Sequence, residues 1–237
     1  TSTFDWFFLI AGDIFVLVCL GLIISPLGKV RNGGKDAKPD YSYLGWFAML
    51  FAAGMGIGLM FWGVAEPISH YDAAVAANAG TAESWAPLAG AAGDPEEARR
   101  LGMAATIYHW GLHPWAVYAL MGLALAFFTF NKGLPLTVRS CFYPLLGERV
   151  WGWGGHVIDT LAVVATLFGL ATSLGFGAMQ AATGLNRLFG IDPGVTTQIG
   201  IIVGVTSCAT LSVVRGLDGG IKLLSNINIV LAIIRML

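Results

Sequence analysis

Six stretches of this chain are each mostly apolar over about the 20 residues that a helix needs to cross a bilayer. They run from Phe4 to Leu27, Tyr43 to Ala65, Leu101 to Phe130, Val157 to Leu185, Thr197 to Val214, and from Lys222 to about Arg235. Charged or imidazole groups well inside them are few: Asp13 as the one internal acid of the first (Asp5 stands at its edge), none in the second, His109 and His113 in the third, Asp159 near the start of the fourth. Charged residues make up 11% of the chain, against about 25% in a soluble domain. Mean hydropathy is +0.73. The pattern predicts an all-α integral membrane protein with about six spans.

Loop charge supports the count. The loops after the first, third and fifth runs hold Lys29, Arg31, Lys35, Lys38, Lys132, Arg139, Arg149, Arg215 and Lys222; those after the second and fourth hold only Arg99, Arg100 and Arg187. The positive-inside rule places the basic set in the cytoplasm and the start of the chain outside. The segment from Glu66 to Arg100 is then external, and it is acidic. Asp94-Pro95-Glu96-Glu97 reads as a helix start ahead of the third run, with Asp at the cap and Pro in the first turn. The first run is too long for a signal-peptide core and lacks a basic start. Opening at Thr1 and closing at Leu237 within an apolar run lead us to expect a piece of a longer chain. A net charge of −1 gives no reason to expect a nucleic-acid partner. Cys19, Cys141 and Cys208 are widely spaced and read as free thiols.

Gly54, Gly56 and Gly58 alternate in the middle of the second run. Each glycine costs a helix about 1 kcal/mol relative to alanine. Two readings follow. The helix unwinds there and offers carbonyls to a cation, as broken transporter helices do, or Gly54 and Gly58 form a close-packing pair. In the third run, Trp110, Pro114 and Tyr118 are four apart and would share one helix face, with a kink at Pro114. A tryptophan and a tyrosine hold a cation through their π faces, about 0.5–2 kcal/mol per ring, without needing an N–H from it. That suits a quaternary ammonium; the alternative is an interfacial aromatic belt.

His109 and His113 have the i, i+4 spacing of zinc ligands, but Trp110 stands where the motif needs glutamate, so they read as structural or proton-sensitive. Thr166, Thr172 and Ser173 bond their own helix carbonyls or serve a cation. Glu66-Pro67 reads as a helix exit, and Asp13 and Asp159 are functional candidates or interfacial acids. No nucleophile–base set, phosphate loop or metal cluster stands out, so nothing supports an enzyme.

The stretches Gly54 to Phe61 and His109 to Tyr118 together resemble the betaine/carnitine/choline transporter family. Glu66-Pro67, Gly133-Leu134-Pro135, Thr172 to Gly175 and Leu224-Ser225-Asn226 add to the likeness, in the order and spacing of that family. The resemblance implies a twelve-span, leucine-transporter-type fold of two leading helices and two inverted five-helix repeats. Residues 4–27 would be the second leading helix, residues 43–237 the first repeat, truncated at its C-terminal end. Members often form homotrimers. By motif, Trp110 and Tyr118 would line an aromatic cage with Trp115 nearby. Backbone carbonyls of Ala52 and Met55 would serve one sodium ion, and Thr166 would match a ligand of a second.

Two departures point in different directions. Gly58 stands where some proton-coupled choline members carry an acid, which favours sodium. Leu170 stands where a sodium-coupled member can carry a second threonine, and leucine has no oxygen to offer. The stretch from Gly133 is closer to choline-transporting relatives. The resemblance thus implies a symporter of the bacterial inner membrane. It would import glycine betaine, choline or a related solute for osmoprotection or nutrition, driven by sodium, with no cofactor. The alternatives are proton-coupled choline transport, or a channel or sensor that uses the aromatic box only to bind.

Overall fold

The computed structural model describes residues 5–54, 56–78, 91 and 94–236. Among the described residues there are no strands. The described residues form nine α-helices: α1 (Asp5–Ile24), α2 (Tyr43–Gly54), α3 (Ile57–Asn78), α4 (Pro95–Trp110), α5 (Leu112–Ala126), the short α6 (Tyr143–Leu146), α7 (Trp153–Phe189), α8 (Val195–Val214) and α9 (Lys222–Met236). Among the described residues, five segments are long and apolar enough to cross a membrane: Trp6–Ile24, Pro95–Asn131, Trp153–Phe189, Val195–Val214 and Leu217–Ile234.

The expected second span is the difference. Its run is divided into two helices, α2 ending at Gly54 and α3 starting at Ile57, with Gly56 in a bend between them. Helix propensity fails where the glycines alternate. The expected exit at Glu66-Pro67 is likewise replaced: Pro67 lies inside α3, which continues to Asn78. The helix survives the proline because its second half is packed. Ala74, Ala98 and Ala105 are buried together, with Tyr71 and Leu101 against them. A Cβ added at Gly102 would lie 3.0 Å from the Tyr71 amide nitrogen, so α3 and α4 approach almost backbone to backbone. Asp94 caps α4 as its sequence predicts: its Oδ1 accepts the Glu96 N–H at 2.9 Å, with Pro95 in the first turn.

The chain divides into two compact units. The first comprises Thr1–Lys38 and Glu66–Ala165. Here α1 runs parallel to α5. Asp13 meets His113, the Cys19 thiol reaches the Ala116 carbonyl, and Asn131 clamps the turn beyond α1. The Asn131 side chain accepts the Gly33 N–H at 2.9 Å and donates to the Arg31 carbonyl at 2.9 Å. Gly33 has φ +86°, a conformation that glycine takes without strain. The turns after the first and third apolar runs therefore meet at one end of this unit.

Past the π-helical turn Phe127–Asn131, the chain folds through 3-10 turns (Val138–Phe142 and Gly147–Trp151) and α6 onto the start of α7. One Asp159 carboxylate holds this segment. It accepts the Arg139 backbone N–H at 3.0 Å on Oδ1 and the Arg139 guanidinium Nε–H at 2.5 Å on Oδ2. Both side chains are about four-fifths buried. Gly155 has no alternative, since a Cβ there would fall 1.7 Å from the Val150 carbonyl oxygen.

The second unit comprises Pro39–Ala65 and Thr166–Leu237. α2 packs against α9, and the Lys222 ammonium sits 5.3 Å above the Tyr41 ring. The π-helical turn Leu217–Ile221 leads into α9, and Gly220 passes so close to Ser212 that a Cβ would lie 1.9 Å from its carbonyl oxygen. At the start of α3, Phe61 stacks on Phe176 of α7 at 5.1 Å, with Trp62 edge-on to the same ring at 5.8 Å.

Two outcomes are expected in the full-length protein. Gly155→Val removes most of the folded material recovered by size exclusion in detergent, whereas Gly154→Ala, whose Cβ meets nothing within 4 Å, leaves it intact. Arg139→Met lowers thermal stability by about 1–3 kcal/mol, because it strands a largely buried carboxylate. Adding Asp159→Asn recovers much of that loss, since the amide oxygen still accepts the Arg139 N–H; a double variant no better than the single one contradicts the charge argument.

Candidate functional site

The third apolar run is not one helix. α4 ends at Trp110, Gly111 takes φ −73° and ψ −112°, and α5 begins at Leu112. Proline explains the position of the break. Pro114 has no N–H to give the carbonyl four residues back, which is that of Trp110. That carbonyl is served instead by the Trp115 indole, whose Nε1–H donates to it at 3.1 Å. Gly111 fits the break because a Cβ there would approach the Ile107 carbonyl oxygen to 2.7 Å. The kink expected at Pro114 is thus a break three residues upstream. Trp110 and Tyr118 consequently stand on two helices rather than on one continuous face. Trp115 and Tyr118 are the pair that α5 brings together, with ring centroids 6.2 Å apart, while Trp110 lies beside His109 at 5.5 Å. Tyr118 is 70% exposed.

Glu66, which the sequence reads only as a helix exit, is the centre of this region. It is 6% exposed. Its Oε2 accepts the Trp110 indole N–H at 2.5 Å, and its Oε1 faces His109 Nδ1 at 2.6 Å and His70 Nε2 at 3.2 Å. An ionised carboxylate only accepts, so it selects the tautomers with hydrogen on His109 Nδ1 and on His70 Nε2. The usable signal in the sequence was an acid bordering an apolar run with a histidine four residues on. His109 and His113, at metal-ligand spacing, are drawn apart by the break. His109 turns to Glu66, and His113 Nε2 lies 2.8 Å from Asp13 Oδ1 on α1. Among the described residues no group of three or more His, Cys, Asp or Glu is placed to hold a metal.

Of the expected cation ligands, Ala52 and Thr166 lie in the second unit. Ala52 is in the last turn of α2, where carbonyls have no partner further along the helix. Gly54 closes α2, Gly56 forms the bend, and Gly58 is the second residue of α3. Met55 lies outside the described residues. Thr166 sits on α7, and six residues on Thr172 bonds its own helix, donating to the Phe168 carbonyl at 2.9 Å. Leu170, between them, is exposed and apolar. The Phe61–Trp62–Phe176 cluster just beyond the helix break was not singled out by sequence. Its signal was a Phe-Trp pair directly after the alternating glycines.

A family model described as the betaine/carnitine/choline family transporter matches residues 1–237. The chain is 65% identical over 234 residues to a glycine betaine/proline/choline transporter of Vibrio parahaemolyticus, covering 98% of this chain and 42% of that one. It is 60% identical over 236 residues to a second protein of that organism, glycine betaine transporter 1, covering 100% of this chain and 43% of that one. It is 47% identical over 237 residues to the glycine betaine transporter OpuD of Bacillus subtilis, covering 100% of this chain and 44% of that one. The chain spans less than half the length of these relatives. With a match from end to end and identities of this size, the chain belongs to the betaine/carnitine/choline transporter family.

Proposed function

We propose that this chain is part of a secondary active transporter that imports a quaternary ammonium solute, glycine betaine or choline, across the bacterial inner membrane. The observation that carries this reading is the aromatic set at the α4–α5 break. Tyr118 stands beside Trp115, and Trp115 in turn is tied to the Trp110 carbonyl. Aromatic faces bind a trimethylammonium head that has no N–H to donate. The names of the relatives agree: each is a glycine betaine transporter, and the first also takes proline and choline.

Sodium is the proposed coupling ion. The helix interruption at Gly54–Gly56 leaves the last carbonyls of α2 to a cation. Gly58 adds no carboxylate that could carry a proton in its place. Thr166 is the proposed hydroxyl ligand of a second sodium. In the full-length protein the basic loops lie in the cytoplasm and the start of this chain lies outside. A homotrimer and a role in osmoprotection complete the proposal.

Uptake of labelled glycine betaine and choline by the full-length protein in proteoliposomes tests this. Uptake is expected to follow an imposed sodium gradient, and Trp110→Ala or Tyr118→Ala to raise KM about two- to thirtyfold. Uptake driven by a proton gradient alone replaces sodium with proton coupling. Uptake unaffected by either substitution removes the aromatic site from the mechanism.

A further inference from the structure

Among the described residues, the Trp110 indole N–H donates to Oε2 of Glu66, on a different helix. We infer that Glu66 is a positioning residue for the substrate cage, acting through the Trp110 indole N–H rather than on the solute. This inference rests on the reading of Trp110 as part of that cage.

Three features of the geometry carry it. The carboxylate is 6% exposed, with its acceptor sites taken by three N–H donors. It therefore has little left to offer a ligand. Glu66 stands on α3, where its helix lies nearly backbone to backbone with α4 at Gly102, so the anchor is set on a rigid pair of helices. Trp110 is also the last residue of α4, beside the break at Gly111. The contacts of its ring are the neighbouring His109 ring and the hydrogen bond from its N–H to Glu66, and that bond is the directional one. A cation–π contact depends on the face the ring presents. Losing the tether therefore costs solute affinity rather than the translocation step.

His70 and His109 complete the anchor. They occupy Oε1 and leave Oε2 to the indole, so the carboxyl group cannot rotate away without breaking two further bonds. A glutamine at this position keeps one carbonyl oxygen for the indole. Its amide group then faces His109, which accommodates it by moving its hydrogen to the other ring nitrogen.

The test compares Glu66→Met, of similar length with no acceptor, and Glu66→Gln, each alone and with Trp110→Phe, in the full-length transporter. Labelled glycine betaine uptake is normalised to the protein present in the membrane. Glu66→Met is expected to raise KM about tenfold with Vmax within about twofold. Glu66→Gln is expected to stay within about threefold of wild type in KM. In the Trp110→Phe background, which keeps a ring and lacks the N–H, Glu66→Met should change KM by less than about twofold, since the bond it removes is already gone.

A full-sized effect of Glu66→Met in that background, or a fall in Vmax with KM unchanged, overturns the inference. Should Glu66→Met not reach the membrane, Trp110→Phe alone decides: an unchanged KM removes the tether from the argument. If Trp110→Ala leaves uptake untouched, the cage reading itself has failed; if Trp110→Ala is impaired while Glu66→Met is normal, only the positioning role has.

Discussion

A backbone inside a bilayer has no water to bond, so every carbonyl freed from a helix must find a partner within the protein. That constraint governs where this chain breaks its helices and what stands beside each break. At Gly111 the carbonyl released by Pro114 is the one that the Trp115 indole reaches. At the end of α5 the chain widens into a π turn, and Gly133 and Leu134 donate back to the Thr129 and Phe128 carbonyls. At these two places the irregular backbone has a specific group to receive it. The aromatic residues proposed to bind solute are thus also structural parts of the break that displays them.

Charge obeys the same economy. Asp13 faces His113, Asp159 faces Arg139, and Glu66 faces two histidines and an indole. Each of these three acids has a partner on another element. These pairs join α1 to α5, the 3-10 segment to α7, and α3 to α4. They set the register between helices whose lipid-facing surfaces cannot: one apolar side chain slides past another at little cost, whereas a stranded carboxylate is expensive.

Much of this was legible in the residues. Hydropathy located the runs because lipid imposes a length on them, and Asp94-Pro95 marked the start of α4 because capping is a local interaction. The alternating glycines raised unwinding as one of two readings, and the helix is interrupted between Gly54 and Ile57. Less legible was whatever depends on contact between distant residues. Pro67 resembles a stop signal, but α3 runs through it because α4 packs alongside at Gly102. Pro114 announced a lost backbone bond and a kink in the span, but not that Gly111 would carry the break or that the Trp115 indole would take up the freed carbonyl. Glu66 seemed a boundary residue because nothing nearby in sequence reveals that His109 and Trp110, 43 and 44 residues on, close around it.

The ties between α1 and α5 have a consequence in time. Asp13 and His113 are 100 residues apart, as are Arg31 and Asn131. At a synthesis rate of about 5–20 residues per second, α1 waits about 5–20 s for its partners to leave the ribosome. During that interval its carboxylate has no imidazole opposite it, and the turn beyond it has no amide to close on. α1 therefore settles into its final place late, and its early residence must be in a setting that tolerates a bare acid, such as the water-lined insertion machinery or the membrane surface.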